Sequence, residues 1–171
     1  FEGMCKFVQV LPESTSDGSF FRAIHAIHLH QHHLALHHIQ MTRATMDTEL
    51  TALIGESYSR AYIPAIRVQM LSDLEEIMEY AQCDAGDDGK RERIKRSLTL
   101  RLKDCQETIE VWQRLMKIRN LVIPMDEDKD LWIRFAQMAH ESKRTALSTI
   151  ILNALLHIDG DNQYQQASLS H

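Results

Sequence analysis

Histidines are concentrated near the N-terminal end of this sequence, and imidazole is the side chain here best suited to bind a metal ion. Seven of the ten histidines lie within residues 25–38. His28/His32 and His33/His37 are each four residues apart, a spacing that places two imidazoles on one face of a helix. Zinc, nickel and copper all accept such ligands. His28, His32, His33 and His37 are therefore the candidate metal ligands.

Two interpretations of the histidine cluster stay open. A closed structural metal site usually has four ligands held by a second shell, and a predicted helix break at residues 31–33 would misalign the first pair. Adventitious binding, or none, is therefore the alternative to a biological metal site. The cluster would also gain positive charge below about pH 6.5, which predicts a response to pH.

Motifs for catalysis are missing from the rest of the sequence. There is no glycine-rich phosphate loop, no GxSxG and no HExxH. Glu75 and Glu76 are adjacent, but we interpret them as solvated charges on the polar side of a helix. Cys5, Cys83 and Cys105 share no CxxC spacing and are interpreted as reduced thiols. The sequence thus predicts a chain without catalytic machinery or a cofactor of its own.

Charge and composition exclude further classes of function. The net charge of -5 argues against a nucleic-acid-binding surface, and the basic run at residues 90–96 is interpreted as a solvated helix face. No run of about 18 apolar residues could span a bilayer, and no signal peptide opens the chain. We therefore expect a cytoplasmic protein.

Hydrophobic spacing predicts an all-α fold. With 44% hydrophobic residues but only 6 Gly and 3 Pro, the elements should be long and the turns few. Helices are predicted over residues 19–30 and 33–53, with Ser16 or Asp17 as the first cap. Gly55 is predicted to separate these from a third helix that ends near residue 82. In that helix Pro64 is expected either to mark the true start or to produce a kink.

The most regular pattern lies in the middle of the chain. Its apolar residues are spaced by three or four and predict one continuous helix of about six turns that Pro124 ends: Ile94, Leu98, Leu102, Cys105, Ile109, Trp112 and Met116. A last helix pair follows, with inner faces at residues 131–139 and 146–155. The organisation predicted is a lead-in turn region at 1–17, a helical-repeat segment at 18–157 with a mobile loop near 84–90, and a polar frayed tail at 158–171.

Two of the helix pairs can be overlaid as a repeat. Phe21 precedes Ala35 by 14 residues, and Trp132 precedes Ala146 by the same 14. The two pairs are 111 residues apart, which equals three periods of 37 and suits tetratricopeptide-like repeats of about 34 residues upward. The predicted fold is therefore a tetratricopeptide-like α-solenoid of antiparallel helix pairs. Such pairs bury their faces against neighbours, so we expect a longer array.

Several collinear runs resemble the FAT region of the target-of-rapamycin (TOR) protein kinases. The most specific is MDTELTALIGESYSRAY at residues 46–62, and others are DGSFFRA at 17–23, QMLSDLEEI at 69–77 and RNLVI at 119–123. The matches cover roughly residues 11–157. The resemblance implies a segment of a very large serine/threonine kinase whose solenoid curls around the kinase domain and holds it.

Partners and ligands follow from the resemblance. It implies packing against neighbouring repeats, the kinase domain of the same chain and TOR complex subunits, in growth and nutrient signalling. The catalytic residues, with their ATP and Mg, would lie elsewhere in the parent. Family scaffolds can hold an inositol polyphosphate, and Arg119 matches one contributor, although the lysine often found on a following helix is Ile150 here. Lys143 also replaces a glycine expected in the last turn.

Three functional hypotheses follow from the sequence. The preferred one is a structural segment of a TOR kinase scaffold, in which Glu56, Tyr58, Arg60 and Tyr62 serve contacts between helices. The alternative is a free-standing helical binding module that uses its histidine-rich surface for a metal or a partner. An enzyme in its own right finds no support in the sequence.

Overall fold

Long α-helices account for most of the chain. The computed structural model describes residues 8, 10–12, 14–83 and 86–169, and in these ranges it contains helices and no strand. The predicted all-α class is therefore confirmed. In chain order the helices are α1 Ser16–His28, α2 His32–Glu56, α3 Tyr58–Gln82, α4 Asp88–Asp104, α5 Ile109–Arg119, α6 Lys129–Glu141 and α7 Thr145–Leu169. No helix in the described ranges has the length and apolar character needed to cross a membrane.

The chain divides into two compact units, residues 1–98 and 99–171. In the first unit α1 packs on α2, and α3 packs on both. Small or aliphatic side chains that are completely buried form its core: Ala23, Ala35, Ile39, Leu71, Leu74 and Ile77. In the second unit α5 contacts α6, and α6 contacts α7, around the fully buried Trp112 and Phe135.

The start of α1 differs from the prediction. Thr15 is the N-cap, and its side-chain oxygen accepts a hydrogen bond from the Gly18 amide at 3.0 Å, while Ser16 and Asp17 lie within the first turn. A Cβ at Gly18 would collide with the backbone carbonyl of Pro12, so this approach requires glycine. Asp17 instead forms an ion pair with Arg67 of α3. Thr, Ser and Asp are all good N-caps, so residue type alone could not choose among them.

The break between α2 and α3 falls at Ser57, two residues after the predicted Gly55. Because α3 begins at Tyr58, Pro64 lies inside it, and the alternative that the helix starts at Pro64 is wrong. Pro64 has no amide proton for the carbonyl one turn earlier.

At the other end of α3, Lys90 of α4 binds Glu79 at 2.9 Å, and this hydrogen bond raises the pKa of Lys90. Residues 84 and 85 of the predicted mobile loop lie outside the described residues.

The predicted continuous helix across the middle of the chain is wrong. The structure has two helices, α4 and α5, separated by residues 105–108. The amide of Cys105 donates to the carbonyl of Leu102 in a tightened last turn, and Thr108 is the N-cap of α5. Leu102 and Ile109 are both buried, so the apolar spacing continues in phase across a segment that is not helical. Hydrophobic period alone therefore could not reveal the break.

The helix pairs α1–α2 and α6–α7 are equivalent at an offset of 113 residues. Both first helices have 13 residues and both second helices have 25. The turns match bond for bond, since Gln31 donates to the carbonyl of Ala26 and Arg144 to that of Ala139, each at 2.8 Å. His30 and Lys143 hold the equivalent left-handed position, with φ of 56° and 60°. These are Schellman helix ends.

The 111-residue overlay predicted from sequence is therefore two residues out of register. At an offset of 113, the buried Ala35 corresponds to Ser148, which is also buried, whereas Ala146 is exposed. The overlay used the aromatic residue Trp132 as an anchor. Trp132 is half-buried and lies one position away from the buried face of α6, so this anchor gave the wrong offset. Lys143 holds the left-handed conformation that glycine favours, in agreement with the glycine that the resemblance implies at this position.

The polar C-terminal segment has helical backbone beyond the predicted limit. Helix α7 extends through Leu169, whereas the sequence predicted a frayed tail from residue 158. Polarity in this segment predicts exposure, and it does not by itself exclude helix, because Gln and Ala have good helix propensity. Residues 170 and 171 lie outside the described residues.

Candidate functional site

The four candidate metal ligands are divided between two helices. His28 is the last residue of α1 and His32 is the first of α2, so their spacing of four no longer places them on one helical face. His33 and His37 both lie on α2, where they are exposed and one turn apart. Among the described residues, no three His, Cys, Asp or Glu side chains are grouped so as to hold a metal ion. Metal binding by the remaining pair stays a prediction.

Imidazoles do line an open cleft beside the α1–α2 turn. The cleft has a volume of about 690 Å³, and its walls include His30, His32 and His33 together with Gln82 of α3. The rings of His30 and His32 meet edge to face, with centroids 6.3 Å apart. Nδ1 of His32 is buried and has no hydrogen-bond partner among the described residues. His30, His32 and His33 therefore form part of the wall of an open cleft.

Arg119, the candidate anion ligand, is buried at the end of α5. Its side chain is 5% exposed, as is that of Asp128, the N-cap residue of α6. The guanidinium donates from Nε and from Nη2 to the two carboxylate oxygens, with the Nη2 bond at 3.1 Å. Nη2 also donates to the hydroxyl of Thr99 at 2.9 Å. This two-point pairing fixes the turn between α5 and α6.

Sequence reasoning missed Asp128 and Thr99 as partners of Arg119. Asp128 is the N-cap residue of α6, a position where a negative charge also interacts favourably with the helix dipole. The available signal was an Arg and an Asp on either side of the turn at Pro124, but sequence spacing cannot show burial. With both oxygens of Asp128 bonded to it, the guanidinium of Arg119 is directed into the protein. Inositol polyphosphate binding at Arg119 stays a prediction.

The family-specific run at residues 46–62 forms the end of the α2–α3 hairpin. Met46 and Ala61 are buried, whereas Tyr58 is 78% exposed. Glu56 and Arg60 form an ion pair at 3.2 Å across the break, but both side chains are about two-thirds exposed. The prediction of contacts between helices therefore holds for this weak pair, and for Tyr58 and Tyr62 it stays a prediction.

These features define a class: an all-helical repeat protein in which two turns have Schellman ends and the α5–α6 turn holds a buried ion pair. The FAT domain family model matches residues 1–171, and the chain belongs to this family. That match also confirms the predicted solenoid-like helical-repeat class.

Curated relatives agree with the family. The chain is 35% identical over 167 residues to "Target of rapamycin homolog" of Caenorhabditis elegans, a match that covers 98% of the chain. It is 37% identical over 153 residues, or 88% of the chain, to "Serine/threonine-protein kinase TOR" of Oryza sativa subsp. japonica. It is 36% identical over 161 residues, or 94%, to "Serine/threonine-protein kinase TOR2" of Saccharomyces cerevisiae. The chain spans 6% of the length of each of these relatives. Its sequence is thus similar to one helical segment of TOR kinases.

Proposed function

We propose that this chain is a non-catalytic scaffold segment of a TOR-type serine/threonine kinase. In that role it packs against neighbouring helical repeats and supports the kinase domain during nutrient and growth signalling. The observation that carries the proposal is the FAT family match over residues 1–171, together with 35% identity to a target-of-rapamycin homologue over 98% of the chain. ATP and Mg would be bound by the kinase domain of the parent.

The buried link between α5 and α6 supports a mechanical role. Arg119 and Asp128 are held together away from water, so the orientation of α6 relative to α5 is fixed by two bonds at one point. A scaffold needs such fixed turns because it transmits position from one helix pair to the next. The exposed apolar residues Ile150 and Leu156, at 66% and 68%, suit a segment that packs against further protein.

A chimaeric kinase tests the proposal. The matching 161 residues of the Saccharomyces cerevisiae TOR2 would be replaced by this chain, and kinase activity of the purified complex measured. We expect the chimaera to retain activity well above a deletion of the segment, and Asp128→Ala within it to lower activity. An exposed substitution, Asp126→Ala, is the matched control. A chimaera as inactive as the deletion, although the isolated chain folds, would contradict the scaffold role.

Zinc distinguishes the scaffold from the alternative, a free-standing module with a histidine-rich metal surface. A ligand that binds the folded state raises the melting temperature, by linkage. Because the structure separates His28 from His32 and leaves His33 and His37 exposed, we expect no rise with added zinc. A rise that His33→Ala abolishes, and that His157→Ala on α7 leaves intact, would favour the alternative.

Inositol polyphosphate binding is a further proposal drawn from the resemblance. To bind through Arg119, the ligand must displace the carboxylate of Asp128 from a buried site. We therefore expect weak binding by the isolated chain, measured by calorimetry with inositol hexakisphosphate. Arg119→Lys keeps the charge but loses the two-point geometry, so it separates binding at this residue from general attraction of an anion.

We also propose a cytoplasmic location for the parent, with endomembrane surfaces reached through its complex.

A further inference from the structure

Every polar side chain in the wall of the cleft beside the α1–α2 turn can donate a hydrogen bond. These side chains are three imidazoles and two carboxamides, from His30, His32, His33, Gln31 and Gln82. No carboxylate lines the cleft among the described residues, and its volume of about 690 Å³ lies within the range of ligand-binding sites. The cleft therefore presents N–H donors without a negative charge of its own.

The fold fixes the backbone beside the cleft and leaves the donors available. The amide of Gln31 donates to the carbonyl of Ala26 at 2.8 Å, which closes the turn. Nδ1 of His32 is enclosed, so Nε2 is the nitrogen of this ring that a ligand can reach. Within the part of the chain that the structure describes, the side chains of His33 and Gln82 make no hydrogen bond. A ligand therefore meets a backbone that is already ordered, which lowers the cost of binding.

Negative charge is absent from this part of the sequence. Residues 18–46 contain seven histidines, Arg22 and Arg43 but no Asp or Glu. On the α3 side of the cleft, Glu79 lies one turn before Gln82 and is paired with Lys90 at 2.9 Å. An acidic ligand would therefore meet no unpaired carboxylate in the described wall or in the last turn of α3. Local charge complementarity of this kind gives selectivity between partners.

Two leucines supply an apolar part of the same wall. Leu34 and Leu36 line the cleft and are 45% and 38% exposed. Covering such aliphatic side chains removes apolar surface from water, which favours association. The wall thus combines N–H donors with an aliphatic surface, and this combination suits a carboxylate side chain that lies next to an aliphatic residue.

The equivalent corner of the α6–α7 pair has the same backbone geometry but different chemistry. At the 113-residue offset, His30 and Gln31 correspond to Lys143 and Arg144. Arg144 pairs with Glu110 of α5, so its charge is satisfied within the chain. The donor-lined cleft therefore depends on the side chains at residues 30–36, and not on the turn geometry that the two helix pairs share.

We propose that the cleft beside the α1–α2 turn is a docking site for an acidic, aliphatic segment of a partner protein. A Glu or Asp carboxylate of that segment accepts hydrogen bonds from His33, Gln82 and Nε2 of His32. The neighbouring aliphatic residue of the segment packs on Leu34 and Leu36. Bonds to an ionised acceptor are stronger than bonds between neutral groups, so the carboxylate contributes most to recognition. The proposal goes beyond the scaffold role and does not depend on it.

Three labelled peptides test the charge preference. In each peptide leucine alternates with glutamate, glutamine or lysine, and each is titrated with the full 171-residue chain by fluorescence anisotropy in the presence of EDTA. We expect the glutamate peptide to bind about tenfold more tightly than the glutamine peptide, because its carboxylates form charge-assisted hydrogen bonds. The net charge of -5 would by itself favour the lysine peptide, so a preference for glutamate indicates a local site. Preference for lysine, equal binding of all three peptides, or no binding would overturn the inference.

Substitutions in the chain locate the site. His33→Ala should weaken binding of the glutamate peptide about fivefold, the loss of one hydrogen bond. His37→Ala is the matched control, because His37 is exposed one turn further along α2 and does not line the cleft. Gln82→Glu places a carboxylate in the wall and should make the chain prefer the lysine peptide, a switch that loss of folding could not produce. Gln40→Glu adds the same charge at an exposed position outside the wall and should cause no switch.

Two further outcomes would overturn the inference. One is an equal loss of binding in the two histidine variants. The other is displacement of the glutamate peptide by inorganic phosphate alone, which would mean that the cleft binds small anions instead of a protein segment. Kinase activity of the chimaera is a separate readout, so the scaffold proposal can stand if the docking proposal fails.

Discussion

Among the ion pairs named above, that of Arg119 and Asp128 is the most shielded from water. Both side chains are 5% exposed, so neither salt nor solvent weakens the pair much. Asp128→Ala removes the carboxylate and leaves a buried cation short of its partner. We expect it to lower the free energy of unfolding by about 3–5 kcal/mol, measured by urea denaturation at pH 7.

Two comparisons show whether burial is the cause. Glu107→Ala breaks the pair with Arg134, whose side chains are 42% and 55% exposed, and should cost about 0–1 kcal/mol. The double variant Arg119→Met, Asp128→Leu removes both charges and should cost less than Asp128→Ala alone. Equal losses for the buried and exposed pairs would contradict this account.

Lys143 holds a left-handed conformation that disfavours residues with a Cβ. Its φ is 60°, and a β-carbon there is strained whereas glycine is not. Lys143→Gly should therefore raise the free energy of unfolding by about 0.5–1 kcal/mol, by thermal or urea denaturation. Ser142→Gly is the matched control, since Ser142 has φ of -80° and gains nothing from glycine. If both variants lose stability, the left-handed assignment is wrong.

Among the helices, the prediction from sequence and the structure disagree most clearly at residues 105–108, where the chain breaks between α4 and α5. Inserting two glycines after Gln106 lengthens a linker in the structure and should cost less than about 1 kcal/mol. In one continuous helix the same insertion would rotate the buried Ile109 and Trp112 by about 200° away from the core. The same insertion after Gln113, inside α5, should abolish cooperative unfolding. Equal losses of stability from both insertions would indicate that one helix runs continuously through residues 105–108.

Helix existence could be predicted, but helix ends and breaks could not. The period of apolar residues places Ile66, Leu74 and Ile77 of α3 correctly, because burial on one face is what that period measures. The apolar residues keep the same phase across the break before α5, so their period cannot reveal it. The sequence does not reveal the repeat register because that register depends on the backbone geometry at His30 and Lys143, neither of which is a glycine.

The candidate sites were predictable in residue type and not in arrangement. The sequence identified Arg119 as notable, but burial and the choice of Asp128 as partner depend on a turn that brings them together. It likewise identified the histidines, whereas the turn at residues 29–31 decides that His28 and His32 lie on different helices. Short-range spacing therefore misleads most where it crosses a helix end.

At the scale of the whole molecule, exposed aliphatic side chains indicate how the isolated chain should behave. Large apolar residues that are 40% or more exposed include Leu29, Leu34, Ile54, Ile63, Leu100, Ile133, Ile150, Leu152 and Leu156. A protein that packs against further protein leaves such surface uncovered when it is isolated. We expect the purified chain to bind an apolar dye and to self-associate with increasing concentration, measured by light scattering.

Charged substitutions on α7 test whether that self-association depends on the exposed apolar residues of this helix. If uncovered apolar surface drives it, Ile150→Glu and Leu156→Glu together should shift the onset of association to higher concentration by about tenfold, equivalent to about 1.4 kcal/mol. Lys117→Glu on α5, an exposed position that is already polar, is the matched control and should shift it little. A wild-type chain that stays monomeric at high concentration would mean that this surface needs no neighbour. The chain would then be a self-sufficient module, and the scaffold proposal would lose its physical support.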